Sequence, residues 1–215
     1  VLDYKLYIPA GISTKSTPLL LMLHGCTQSP DDFARGTRMN ALADVYGYVV
    51  AYPQQPSSRN ANNCWNWFRR SDQEREGGEP ALLAALTRHL MATHRIDERR
   101  VHVAGLSAGG AMAAVLANTH PDLYAAIGVH SGLPIGLASA VPSAFAAMRN
   151  GKSRGSVNAQ NGATRRVPAI VFHGDKDTTV HPRNGHGVIE QSLASNDVDA
   201  AAEMHTRVEQ GIASG

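Results

Sequence analysis

Cysteine and aromatic residues are scarce in this chain, at two cysteines and 6% Phe, Trp and Tyr in 215 residues. Long apolar runs are missing too: stretches such as Leu19 to Leu23 fall far short of the roughly 20 residues that a membrane span needs. No membrane association is expected from such a pattern. Runs of like charge are also missing, and a net charge of +2 offers no broad basic face for a phosphate backbone. Nucleic acid is therefore not the expected partner. No charged segment followed by an apolar stretch and a cleavage site opens the chain, so a signal peptide is expected to be already removed or never present. With 43% hydrophobic and 18% charged residues, the composition is that of an ordinary globular protein. Its length fits a single domain over residues 1–215. The two cysteines, Cys26 and Cys64, allow at most one bridge. They read equally as the staple of an exported domain or as two inert buried thiols.

What is present is an alternation of strand and helix signals. Tyr4 to Pro9 alternates in polarity, and Leu19 to Leu23 reads as a buried strand ending at His24-Gly25. Ser29-Pro30-Asp31-Asp32 has the order of a helix start, and Gly47 stands where a helix ends. Met39, Leu42, Ala43 and Tyr46 fall between them at helical spacing. Tyr48 to Tyr52 is a further strand, followed by a polar loop. From Pro80 onward, Leu82, Leu83, Leu86 and Leu90 form one apolar stripe. Val101 to Ala104, Ala125 to Val129 and Val167 to Phe172 are short buried strands, with a small-residue helix over Ala108 to Asn118. Residues 133–166, rich in Gly, Ser and Asn, suggest a cap or lid. The pattern predicts an α/β fold, a doubly wound and mostly parallel sheet with helices on both faces. Ligands of such sheets bind outside the carboxyl ends of the strands. Attention therefore falls on residues 24–27, 105–109, 130–131 and 175–177.

Gly105-Leu106-Ser107-Ala108-Gly109 lies between a strand and a helix, the setting of a nucleophile elbow. A sharp turn there would expose the Ser107 hydroxyl above the sheet, and the two glycines would let neighbouring backbone pass. The loop His24-Gly25-Cys26-Thr27 stands where this architecture places the second half of an oxyanion hole, so the amides of Cys26 and Ala108 are the expected donors. His24 precedes that loop and reads as structural. In His173 to Val180, Asp177 is the expected acid, because the chain order is serine, then acid, then histidine. Asp175 reads as a turn residue. A general base must then follow Asp177. His181 comes too soon after it, His186 sits inside the next helix, and His205 falls in a helix-like stretch with no strand ahead of it. No catalytic histidine is assignable within 1–215.

Taken together, His24-Gly25-Cys26-Thr27-Gln28, Tyr52-Pro53-Gln54, Cys64-Trp65-Asn66-Trp67, the elbow and His173 to Pro182 resemble the polyhydroxybutyrate depolymerase-like esterases. That family of the α/β-hydrolase superfamily also contains feruloyl and acetylxylan esterases. The resemblance runs over nearly the whole chain, and its H-G-C-T-Q and C-W-N-W segments are the most particular. It implies Ser107 as nucleophile, Asp177 as acid, the Cys26 and Ala108 amides as oxyanion donors, and a Cys26–Cys64 disulfide. It implies Trp65 as a substrate-binding aromatic, leaving Trp67 to packing. The bridge in turn implies a secreted or periplasmic protein. It also implies that the base lies on a loop after one more strand, beyond Gly215, so that this chain lacks that strand and loop.

The expected reaction is serine carboxylic-ester hydrolysis through an acyl-enzyme, with no metal and no cofactor. Small-molecule or oligomeric esters are the expected substrates: short hydroxyalkanoates, feruloyl esters or acetyl esters. Two alternatives remain at this point. One is a non-catalytic hydrolase-fold binding protein, against which the retained elbow, oxyanion loop and acid all argue. The other is a serine peptidase of the same fold, which the H-G-C-T-Q and C-W-N-W segments count against.

Overall fold

The computed structural model describes residues 2–12, 16–151 and 165–196. Within them six strands form one sheet in the order β1-β3-β2-β4-β5-β6. The strands are β1 (Tyr4–Tyr7), β2 (Thr17–Leu23), β3 (Val49–Pro53), β4 (Ile96–Leu106), β5 (Ala126–His130) and β6 (Ala169–Phe172). β1 runs antiparallel to β3, and every other pair is parallel. The carboxyl ends of β2, β4, β5 and β6 therefore open on one rim, because each parallel crossover returns through a helix.

Alternation along the strands decides which helix packs on which face. Leu19, Leu21 and Leu23 of β2 point into the larger core with Val101 and Val103 of β4. There they meet α3 (Gly78–Thr93) through Leu83, Leu86 and Leu90, and α4 (Ala108–Thr119) through Met112 and Leu116. Met22 points the other way and joins Val50 and Tyr52 of β3 with Phe33 and Ala43. The last two belong to α1 (Pro30–Thr37) and α2 (Met39–Tyr46). Each fully buried leucine contributes about 1.5–3 kcal/mol relative to an exposed one, so the three of β2 alone hold this strand firmly at the centre.

The helix start at Ser29 forms as its sequence suggests. The Ser29 hydroxyl accepts from the Asp32 amide at 3.2 Å, and the Asp32 carboxylate accepts from the Ser29 amide at 3.2 Å. The helical spacing up to Gly47 is, however, carried by two helices. Arg38 sits in the left-handed region at φ 52° and returns its amide to the Ala34 carbonyl, which closes α1 before α2 begins. The segment expected to be a cap holds another helix, α5 (Val141–Asn150). It is docked onto α6 (Arg183–Ser195), whose Asn184 amide group donates to the Ala147 and Met148 carbonyls at 3.1 and 3.3 Å. Residues 152–164 of that segment, and His205, lie outside the described residues. No helix among the described residues is long and apolar enough to cross a membrane.

Candidate active site

Ser107 occupies the turn between β4 and α4 at φ 56° and ψ −116°, a conformation that strains any residue with a Cβ. Three constraints hold it there. The Ser107 amide donates to the His130 carbonyl at the end of β5 at 2.8 Å. A Cβ on Gly109 would fall 2.1 Å from the Leu23 carbonyl oxygen, and one on Gly105 would fall 2.3 Å from the Gly109 carbonyl group. Both glycines of the motif are thus required by backbone approaching backbone. α4 starts at the next residue, so its positive end lies at the Ser107 side chain.

The loop after β2 lies against this turn. A Cβ on Gly25 would stand 3.7 Å from that of Ser107, which places Cys26 beside the elbow. Among the described residues neither the Cys26 nor the Ala108 amide has a hydrogen-bond acceptor. Cys26 is bridged to Cys64, and the Thr27 amide donates to the Asn62 carbonyl at 2.7 Å. The loop after β2 and the loop that carries Trp65 are therefore one joined unit.

His24 is buried beneath this unit. Its Nε2 accepts from the Gln55 amide at 3.2 Å, so Nδ1 carries the proton and donates to the Gly25 carbonyl at 2.8 Å. Burial holds its pKa below the usual histidine value, against the opposing pull of the Gly25 carbonyl. A neutral ring with both nitrogens occupied is a structural histidine, in line with its position ahead of the loop.

On the other side of β5, Asp177 caps a turn. One carboxylate oxygen accepts from the Thr179 and Val180 amides at 2.9 Å each. The other lies 3.6 Å from His173 Nε2. Burial pushes the Asp177 carboxyl up, but the Val180 and Thr179 amides, the Ser131 hydroxyl and His173 together hold it below the usual carboxylate value. The acid is thus anionic and fixed in direction at neutral pH. The sequence marks Ser131 only by its place at a strand end and gives His173 no separate role. His173 Nε2 lies 2.7 Å from the Val180 carbonyl, which braces the turn. Ser131, at φ 49°, ties the chain after β5 to Phe172 through its amide at 2.9 Å.

The end of β5 thus lies between Ser107 and Asp177: His130 receives the serine amide, and the Ser131 hydroxyl next to it helps hold the Asp177 carboxyl anionic. Of the described histidines after Asp177, neither His181 nor His186 is hydrogen-bonded to Ser107 or Asp177. His181 Nδ1 accepts from the Arg183 amide at 3.2 Å, and His186 lies exposed on α6. Trp65 is wholly buried, its ring centroid 5.6 Å from that of His24, and among the described residues its indole N–H has no partner. Trp67 packs edge-on against Phe68 at 5.7 Å.

Residues 2–210 match the family described as esterase PHB depolymerase. The chain belongs to that family. Among the relatives of this esterase PHB depolymerase family member, the poly(3-hydroxyalkanoate) depolymerase C of Paucimonas lemoignei is 33% identical over 94% of the chain. Feruloyl esterase B of Neurospora crassa is 31% identical over 86%. The chain spans 50% of the first relative and 67% of the second. The acetyl xylan esterase from Aspergillus awamori superposes with a TM-score of 0.82 at 21% identity, covering 94% of this chain and 77% of that one. The six-stranded, mostly parallel sheet with its helices is accordingly the α/β-hydrolase fold.

Proposed function

We propose that this family member is a serine carboxylic-ester hydrolase. The observation that carries the reading is the strained Ser107 backbone at φ 56°, held by glycines at both flanks of the turn. A binding module would gain nothing from that strain, which is stored where a hydroxyl has to be presented. Ser107 attacks the ester carbonyl, and the Cys26 and Ala108 amides receive the developing oxyanion. Asp177 orients and charge-stabilises a histidine that takes the serine proton. None of the described histidines is hydrogen-bonded to Ser107, and the base in this scheme is a histidine outside the described residues. Water then releases the acyl group.

The relatives support esters as the substrate class, being named for a poly(3-hydroxyalkanoate), for feruloyl groups and for acetyl groups on xylan. For this chain we put forward short hydroxyalkanoate esters or their oligomers first, because the depolymerase shares the highest identity with it of the relatives named above. In the same scheme α5, the described helix of residues 133–166, is part of a cap beside this site. The Cys26–Cys64 bridge supports a secreted or periplasmic location, since such bridges persist in oxidising compartments. A fluorophosphonate probe should label Ser107 in the full-length protein, and p-nitrophenyl butyrate should be hydrolysed. Folded full-length protein that is neither labelled nor active would refute the reading.

A further inference from the structure

Glu79 is the most deeply buried carboxylate among the described residues, at 2% exposure, and the reaction scheme above gives it no part. It stands in the first turn of α3, where the helix dipole favours an anion. Its Oε2 accepts from the Asn66 amide at 2.7 Å and its Oε1 from the Asn66 side chain at 2.5 Å. The Gln55 side chain also donates to Oε1, and donates to the Cys64 carbonyl at 2.9 Å. Burial raises the Glu79 carboxyl, and the Asn66 and Gln55 donors pull it back. Filling this volume with apolar groups would avoid the desolvation of a carboxylate altogether, so its retention calls for a use.

Two paths lead from Glu79 to one peptide unit. The first runs through the Gln55 side chain to Cys64, and across the disulfide to Cys26. The second runs along the Gln55 backbone to His24, and from His24 Nδ1 to the Gly25 carbonyl. The Gly25 carbonyl and the Cys26 amide belong to the same peptide. In a trans peptide they point in opposite directions. Holding the carbonyl on the buried His24 ring therefore turns the Cys26 N–H away from the core, on the loop that lies against Ser107. The hydrogen bond to the carbonyl also polarises that N–H and makes it a stronger donor.

We infer that Glu79 and Gln55 are positioning residues, which through His24 and the disulfide fix the Gly25–Cys26 peptide plane for oxyanion binding. This rests on the reading of the Cys26 amide as an oxyanion donor. Neither residue touches substrate. Their effect is on the direction of one N–H, so it is expressed in the tetrahedral state and little in substrate binding.

Full-length protein labelled with [15N]cysteine and [1-13C]glycine identifies the Cys26 amide by its coupling to the Gly25 carbonyl carbon, a coupling that Cys64, which follows Asn63, does not have. In the wild type, butylboronic acid, which forms a tetrahedral adduct on serine, should move the Cys26 signal downfield. In E79Q that shift should shrink by at least half, and kcat on p-nitrophenyl butyrate should fall about 10- to 100-fold, with KM changed less than threefold. Q55M, which removes the side-chain link but keeps the backbone donor to His24, should do the same and serves if E79Q does not fold. An unchanged Cys26 shift, or kcat within threefold of wild type in a folded variant, would overturn the inference while leaving the esterase standing. A wild type that neither hydrolyses ester nor responds to the boronic acid would overturn the esterase reading itself, and the inference with it.

Discussion

The Ser107 amide donates to the His130 carbonyl at 2.8 Å, so the elbow is fastened to β5 as well as to the strand it ends. The strain at Ser107 is therefore held by neighbours and not by the serine side chain. Ser107→Ala should abolish ester turnover, by at least about 1000-fold, with the thermal midpoint little changed. Ser107→Gly should also be inactive but more stable, by about 1 kcal/mol, since glycine adopts φ 56° without a Cβ penalty. Urea denaturation of the two variants measures the difference.

Gly109→Ala should be far more damaging than an alanine substitution at Gly36, which has open space around it. The added methyl would stand 2.1 Å from the Leu23 carbonyl oxygen, and relief requires α4 to move off β2. A loss of about 3 kcal/mol or more is expected. Soluble yield and denaturant midpoint are the measurements.

Acid stability should be governed by a pair of groups remote from the site. The Arg75 guanidinium grips Asp122 at 2.6 and 2.9 Å and lowers that carboxyl to about 2. Burial, with Arg75 and Arg88 adding to it, lowers His120 to about 4. Both folded values lie below the unfolded ones, so each contribution is full above the unfolded pKa and lost as pH falls through the folded one. His120 should erode stability between pH 6.5 and about 4, and Asp122 between pH 3.8 and about 2. H120N should flatten the first part of the melting-temperature profile and D122N the second.

Reducing the Cys26–Cys64 bridge reopens a loop with a sequence separation of 38, worth about 4 kcal/mol in the chain-entropy treatment. Dithiothreitol should lower the denaturant midpoint. It should also reduce kcat before the global transition is reached, because the bridge holds the loop proposed to bind the oxyanion against the loop that carries Trp65. Parallel activity and circular-dichroism titrations separate the two events.

The local parts of this molecule were legible in its sequence. Ser29-Pro30 starts a helix and Gly105 to Gly109 makes the elbow, because capping and turn chemistry act over a few residues. What escaped was set by partners distant along the chain. Helical spacing up to Gly47 gave no sign that Arg38 would adopt a left-handed conformation and split the segment. α5 lay unseen in a Gly- and Ser-rich stretch whose helix is secured by Asn184, from another part of the chain. Glu79 offered only the ordinary signal of an acid in a first turn, while its meaning depends on Gln55, 24 residues earlier. Trp65 was placed by its motif neighbours, and its burial followed from the His24 ring behind it.

The two flanks of Ser107 are built from different materials. On one flank a disulfide and a buried carboxylate clamp the loop after β2. On the other, the chain near Asp177 leans on α5, whose Val141 and Phe145 are more than half exposed and bear no part of that clamp. The α5 surface can thus change without loosening the clamp on the loop after β2, and the two sides of the elbow are free to vary separately.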